Sequence, residues 1–235
     1  MILSTNDWAS LWLSLKLAAI SILILLIIAI PAAYWLTFSR SRYKIIISPV
    51  FTLPLILPPT VLGFYLLLLM GPQGVIGHLC QVLGIEQLTF SFSGLVVASI
   101  IYSFPFVVLP IQNTFSVIGK SSLEVGATLG AKPFDSIINI LLPQAKIGII
   151  SAGVIGFAHT IGEFGIVLMI GGNIPGKTQL ASVQLYNHFE AYEYSQANHL
   201  ALILLGLSFI ILLILYMLNH KFSHLDTREN ALSKI

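Results

Sequence analysis

The sequence predicts an all-α polytopic membrane protein, with five transmembrane helices and a helical cytoplasmic loop between the third and the fourth. Three observations lead there. Hydrophobic residues make up 57% of the 235 residues and charged residues 9%, with a mean hydropathy of +0.94. A soluble domain is roughly a quarter charged, and one this poor in charge could not cover its surface. Five stretches reach the roughly 20 mostly apolar residues that a helix needs to cross the hydrocarbon core. The basic residues, finally, collect in alternate loops.

In chain order the spans are 11–36, 45–70, 92–112, 147–170 and 200–219. They are expected to form one transmembrane domain, 8–220, followed by a short charged tail, 221–235, with no domain of its own. No small-residue cleavage site follows the first span, so it reads as a retained helix rather than a signal peptide. The single cysteine, Cys80, excludes an internal disulfide. Arg40, Arg42 and Lys44 lie in the first loop, Lys120, Lys132 and Lys146 in the third, and Lys221, Arg228 and Lys234 in the tail. That is nine of the eleven basic residues; only Lys16 and Lys177 fall on the other side. The positive-inside rule then puts the N-terminus outside and the C-terminus in the cytoplasm, as an odd number of spans requires. A multi-pass protein of the bacterial cytoplasmic membrane, in contact with lipid and not nucleic acid, is the expectation.

The fourth loop contains GGNIPGKT, residues 171–178, which fits the Walker A pattern of phosphate-binding loops. That match would make the chain a membrane-embedded NTPase. Its context argues against this. The loop falls on the outer face, follows a span rather than a short strand, and has no βαβ alternation around it. The expected structure is a Gly/Pro turn leading from a span into a surface helix.

The third loop, 113–146, carries SSLEVGATLGAKPFDSIINILLP (121–143). Ser121 and Glu124 have the spacing of a capping box that starts a helix. Gly130 is placed to end that helix in a left-handed conformation. Pro133 suits the first turn of a second helix. Phe134, Ile137, Ile138 and Leu141 recur as one apolar stripe, and Pro143 is expected to stop the helix before the next span. Two readings fit these residues: a helix pair that merely closes the loop, or a docking platform.

The loop resembles the cytoplasmic EAA-x3-G-x9-I-x-L-P motif of the permease subunits of bacterial ABC importers. Glu124 is followed by Val125 and Gly126 in place of the two alanines. Gly130, Ile140, Leu142 and Pro143 then follow at the same spacing. TLPLILPPTVLGF (52–64), GPQGVIG (71–77), GEFG (162–165) and NIPGKTQ (173–179) are similar to the molybdate subgroup, and GEFG also to sulfate and thiosulfate permeases. The resemblance spans residues 8–220. It implies a type I ABC importer permease fold, and a coupling role for Glu124, Gly126, Gly130, Ala131, Ile140, Leu142 and Pro143 against a separate ATP-binding subunit. It further implies a homodimer, two ATPase subunits, and a periplasmic oxyanion-binding protein at the outer loops 71–91 and 171–199. ATP and magnesium would sit on the partner subunit, with no cofactor and no catalytic residue on this chain. Sulfate, thiosulfate or tungstate transport is the alternative within the family.

Inside the spans, Pro49, Pro54, Pro58 and Pro59 break the second helix. Such breaks survive in a membrane only where protein or water satisfies the freed backbone. Pro58 and Pro59, with Thr52 and Thr60 beside them, are therefore candidates for the translocation path. The alternative is a kinked packing helix whose threonines bond back to their own backbone. Glu163 is the one carboxyl inside a span, placed in the outer part of the bilayer where it could snorkel, with His159 at i−4. A bare carboxylate would repel an oxyanion. Two roles stay open for this pair: an outer gate or subunit interface, or a structural bond within one subunit. No lysine or arginine lies in the core of a span, which suggests a weakly binding conduit. His220 and His224 give no metal signal.

Overall fold

The computed structural model describes residues 3–232, with side chains for residues 3–217. Among these every regular element is helical. The His220/His224 pair and the basic side chains of the tail lie outside the described side chains.

Helix α1 (Thr5–Phe38) begins with Ser4 and Asp7 in a reciprocal capping box. Leu11, Ser14, Leu17, Ala18, Ile22, Leu25, Ala29 and Ala33 recur every three or four residues and form its buried face. That face packs on α5 (Phe92–Ile118), the central helix of the bundle. With α8 (Leu142–Ile161) these helices enclose a core built around Leu25, Val107, Ile111, Phe115 and Leu141. The last helix, α11 (Tyr194–Leu232), leans on α8 and α10 (Ala181–Glu190) and leaves most of its apolar side chains outward. Among the described residues five segments are long and apolar enough to cross a membrane: Thr5–Phe38, Pro59–Val82, Phe92–Ile118, Pro133–Ile161 and Tyr194–Met217.

Two spans differ from expectation. The second is not one helix over 45–70 but two, α2 (Lys44–Ile56) and α3 (Pro59–Met70). Proline drives the residue before it out of the helical region, so Leu57 (ψ 138) and Pro58 (ψ 135) are both extended. The fourth, expected over 147–170, ends at Ile161 and resumes as the short α9 (Gly165–Gly171). Here the helix yields to tertiary bonds: Ser182 Oγ donates to the Glu163 carbonyl at 2.5 Å. Both outer loops do carry short helices, α4 (Val75–Val82) and α10. The bundle thus has a basic end, with Arg40, Arg42, Lys44, Lys120 and Lys132, and an opposite end built from residues 3–10, 71–91 and 171–194. Lys16, near that opposite end, lies over the Phe92 ring at 4.9 Å.

Candidate coupling loop and transport site

At the basic end the loop folds as α6 (Ser121–Thr128) and α7 (Pro133–Ser136), as its punctuation suggests. The capping box does not form. Gly119, at φ +72, ends α5 and turns the chain so that Lys120 is already helical and Ser121 lies inside α6. A capping side chain needs an extended backbone to reach forward, and Ser121 no longer has one. The start of α6 is closed by its main chain instead, with Glu124 N–H donating to Lys120 O at 2.9 Å.

The C-terminal end of α6 follows expectation closely. Gly130 has φ +85, Ala131 N–H donates to Gly126 O at 3.0 Å, and Gly130 N–H to Ala127 O at 3.0 Å. This pair of bonds is the Schellman arrangement, which needs a residue tolerant of the left-handed region at that point. Gly126, in place of the second alanine, is closely packed: a β-carbon there would lie 2.5 Å from Ile140 Cδ1, so the isoleucine tip would have to shift. Gly126 and Ile140, fourteen positions apart in the motif, are packing partners.

Pro143 does not stop the second helix. Residues 137–141 widen into a π-helical turn, with Leu142 N–H donating to Ile137 O, and the chain runs on into α8 with Pro143 in its first turn. The wide turn makes room for a ring that would otherwise clash with the preceding turn. The apolar stripe is also divided. Leu141 is buried, whereas Phe134 (73% exposed) and Leu129 (83%) project from the loop with nothing of this chain over them. Glu124 and Val125 lie exposed beside them.

The two breaks in the spans meet. A β-carbon on Gly165 would sit 3.2 Å from Thr60 Cγ2 and 3.3 Å from Pro59 Cβ. The start of α3 is therefore pressed against the start of α9, next to Glu163. Pro58 and Thr60 are exposed. Thr52 is not part of this cluster, and its hydroxyl donates back to Ser48 O (3.1 Å) and Pro49 O (3.2 Å).

Glu163 does not snorkel. It is 3% exposed, and its carboxylate accepts from Ser99 Oγ at 2.6 Å and Ser103 Oγ at 2.8 Å. These serines stand one turn apart on α5 and present two donors to one carboxylate, which satisfies it inside the chain. His159 Nδ1 lies 3.7 Å from the carboxylate and 2.9 Å from Ser103 Oγ, with its ring stacked on Phe106 at 3.8 Å. The expected i−4 neighbourhood is present, and it is bridged by Ser103.

GGNIPGKT is a closed turn. Lys177, Thr178 and Gln179 all donate their N–H groups to Ile174 O. Thr178 Oγ1 donates to Gly171 O at 2.6 Å and accepts from Ile174 N–H at 3.1 Å. The Ile174, Lys177 and Thr178 amides, which a phosphate loop would turn to its ligand, are occupied, and Lys177 reaches an exposed Glu86 at 3.7 Å. The helix that follows is less superficial than expected, since Ala181, Val183, Gln184 and His188 of α10 are buried.

One cluster gave no signal as a site. Asp7, fully buried, accepts from Ser4 N–H (2.8 Å), Gln184 Nε2 (2.9 Å) and His188 Nε2 (2.8 Å). His188 Nδ1 meets Glu193 Oε2 at 2.7 Å. An acceptor carboxylate on each nitrogen favours the doubly protonated ring. The Ser4-x-x-Asp7 spacing is that of a helix cap; the partner of Asp7, 181 residues away, carries no such local signal.

The architecture is that of a helical, multi-pass membrane protein whose basic end carries a two-helix loop with exposed apolar side chains. Residues 25–224 match the family described as binding-protein-dependent transport system inner membrane component, and the chain belongs to it. It is 53% identical over 216 residues to the molybdenum transport system permease protein ModB of Azotobacter vinelandii, covering 92% of this chain and 96% of the relative. It is 35% identical over 216 residues to that of Escherichia coli K12, covering 91% and 94%. A permease chain from the crystal structure of a bacterial alginate ABC transporter in complex with its alginate-bound periplasmic protein has the same fold. The TM-score is 0.75 over 93% of this chain and 80% of that one, at 17% identity.

Proposed function

We propose that this chain is the permease subunit of an ATP-driven importer that moves molybdate across the bacterial cytoplasmic membrane. The observation that carries the reading is the coupling loop. Its motif residues make one rigid unit: Gly130 turns the chain, Gly126 admits Ile140, and Leu142–Pro143 joins the unit to α8 through the wide turn. Leu129 and Phe134 then project as uncovered anchors, with Glu124 and Ala131 beside them. A cytoplasmic ATPase subunit is the partner such a surface fits, and ATP and magnesium would be bound there. The 53% identity to a molybdenum permease supports the substrate.

The basic end faces the cytoplasm in this reading, and the end with α4 and α10 faces a periplasmic oxyanion-binding protein. Two copies would place the broken spans around a shared path, since α2 and α3 leave Ile46, Val50, Phe64 and Leu68 uncovered. Thr60, Pro58 and Pro59 line that path; Thr52 contributes less, its hydroxyl being engaged by its own helix. Glu163 and His159 hold the break in the fourth span against α5, which sets the position of α9 and hence of the outer gate.

The test is uptake of labelled molybdate into vesicles holding this chain, its ATPase and its binding protein. Uptake that requires all three and ATP, and that excess sulfate does not compete away, supports the proposal. Flux without the ATPase would make the chain a channel. Preference for sulfate would move the substrate within the family.

A further inference from the structure

Beside the break in the fourth span lies an apolar groove of about 630 Å³, within the roughly 300–1,000 Å³ of small-molecule pockets. Ile161 and Phe164 form one wall, Leu185 and Phe189 of α10 the roof, and Ala201 and Leu204 of α11 the other wall. Small residues on α11, Ala197, Ala201 and Ser208, keep the space open. The α11 face next to it, with Leu202, Leu205 and Phe209, is exposed and apolar, the character of a surface that meets lipid.

The depth of the groove identifies its occupant. From Ala197 to Ser208 is eleven residues of helix, about 16 Å at 1.5 Å per residue. Half of a hydrocarbon core of roughly 30 Å is about the same. The groove therefore spans a single leaflet. Its upper end is marked by Phe189, Tyr192 and Tyr194, which pack edge-on and are all exposed. Aromatic residues in that position sit at the level of the lipid head groups.

We infer that this groove binds one acyl chain of a phospholipid from the leaflet at the end opposite the coupling loop. The bound chain would wedge α11 against the break, touching Gly162 and Phe164 on either side of Glu163, so that the lipid supports the position of α9. A second apolar groove on α11, lined by Ile22, Phe157, Ile211 and Ile214, lies further toward the basic end and has no aromatic rim of this kind among its lining residues.

The probe is a phosphatidylethanolamine with a photoactivatable group in its acyl chain, in vesicles holding the full-length protein, with labelled peptides mapped by mass spectrometry. Labelling is expected to concentrate on residues 161–164, 185–189 and 197–208, above that of the exposed α3 face. Ala201→Trp fills the groove and should cut this labelling about tenfold, the loss expected from excluding a few methylene groups. Leu205→Trp, on the outward face, should leave it unchanged. Should Ala201→Trp fail to fold, Ala197→Leu carries the same expectation. Groove labelling no higher than on α3, or unaffected by the filling variants, overturns the inference. So does a disulfide between two copies bearing cysteine at position 201 in a Cys80→Ser background, which would show that a second copy occupies the groove.

Discussion

The two ends of the bundle are finished in opposite ways. The end with α4 and α10 closes on itself through polar bonds. Asp7, His188 and Glu193 tie the start of α1 to the α10–α11 turn, and Thr178 locks the 171–178 turn. The basic end is held chiefly by packing and main-chain bonds; its loop leaves Leu129 and Phe134 bare, as α4 at the other end leaves Val82 and Leu83 bare. The polar ties of the α4/α10 end are satisfied within the chain and need no partner to be stable. A surface with Leu129 and Phe134 exposed is stable only in the sense that its backbone is, and its side chains gain when something covers them. The contrast separates the stability of this protein from its coupling, and substitutions should separate them too.

The largest effect is expected midway between the ends. Glu163→Ala leaves the buried Ser99 hydroxyl without its acceptor and Ser103 with only His159 and Thr160, at a cost of about 3 kcal/mol. It should appear as a fall in thermal unfolding temperature and in assembled protein. Glu163→Gln keeps the shape, and full transport by that variant would rule out a role for the charge.

At the basic end, Phe134→Asp together with Leu129→Asp should weaken the hold on the ATPase by about 2 kcal/mol or more, the scale of an interface anchor. Uptake would drop at least about tenfold while the unfolding temperature stays as in the wild type. A matching loss of stability would erase the distinction between the ends.

At the opposite end, Asp7→Asn should do the reverse, lowering stability by about 2 kcal/mol, the value of hydrogen bonds to a charged group, with the ATPase still bound. The pH dependence has a defined sign. Burial opposes the charged form of His188, but Asp7 and Glu193 outweigh it and raise its pKa above the ordinary 6.5. A group with a raised folded pKa contributes fully below its unfolded value, and that contribution is lost as pH rises through the folded one. Unfolding temperature should therefore fall as pH rises above about 6.5, and His188→Gln should flatten that profile.

Smaller still is Gly126→Ala, which drives a methyl group into Ile140 Cδ1 at a cost of about 1 kcal/mol. Ile140→Val in the same chain should relieve it, a coupling that a double-mutant cycle reads directly. The smallest is Lys177→Ala. An ion pair between residues 53% and 79% exposed is worth about 0–1 kcal/mol at most, and uptake should not change. Loss of ATP hydrolysis by the chain alone in this variant would revive the phosphate-loop reading of 171–178.

Helices that cross a membrane are legible because each must satisfy its backbone internally and present an apolar surface, and both demands act within some 20 consecutive residues. The span count and the charge asymmetry that carries the expected sidedness were therefore open to reading in the sequence, as were Gly130 and Pro133, which act on their own backbone. The breaks were legible only in part: four prolines marked the second span, while the fourth carried only the glycines of GEFG, Gly162 closing α8 and Gly165 opening α9, with Ser182 taking the Glu163 carbonyl between them. The capping box failed because Gly119 shifted the helix start by one residue. The satisfaction of Glu163 by Ser99 and Ser103, the pairing of Asp7 with His188, and the contact of Gly126 with Ile140 were decided by tertiary structure. Each joins side chains from separate elements, and sequence periodicity describes only the face of one helix, never which face it will meet.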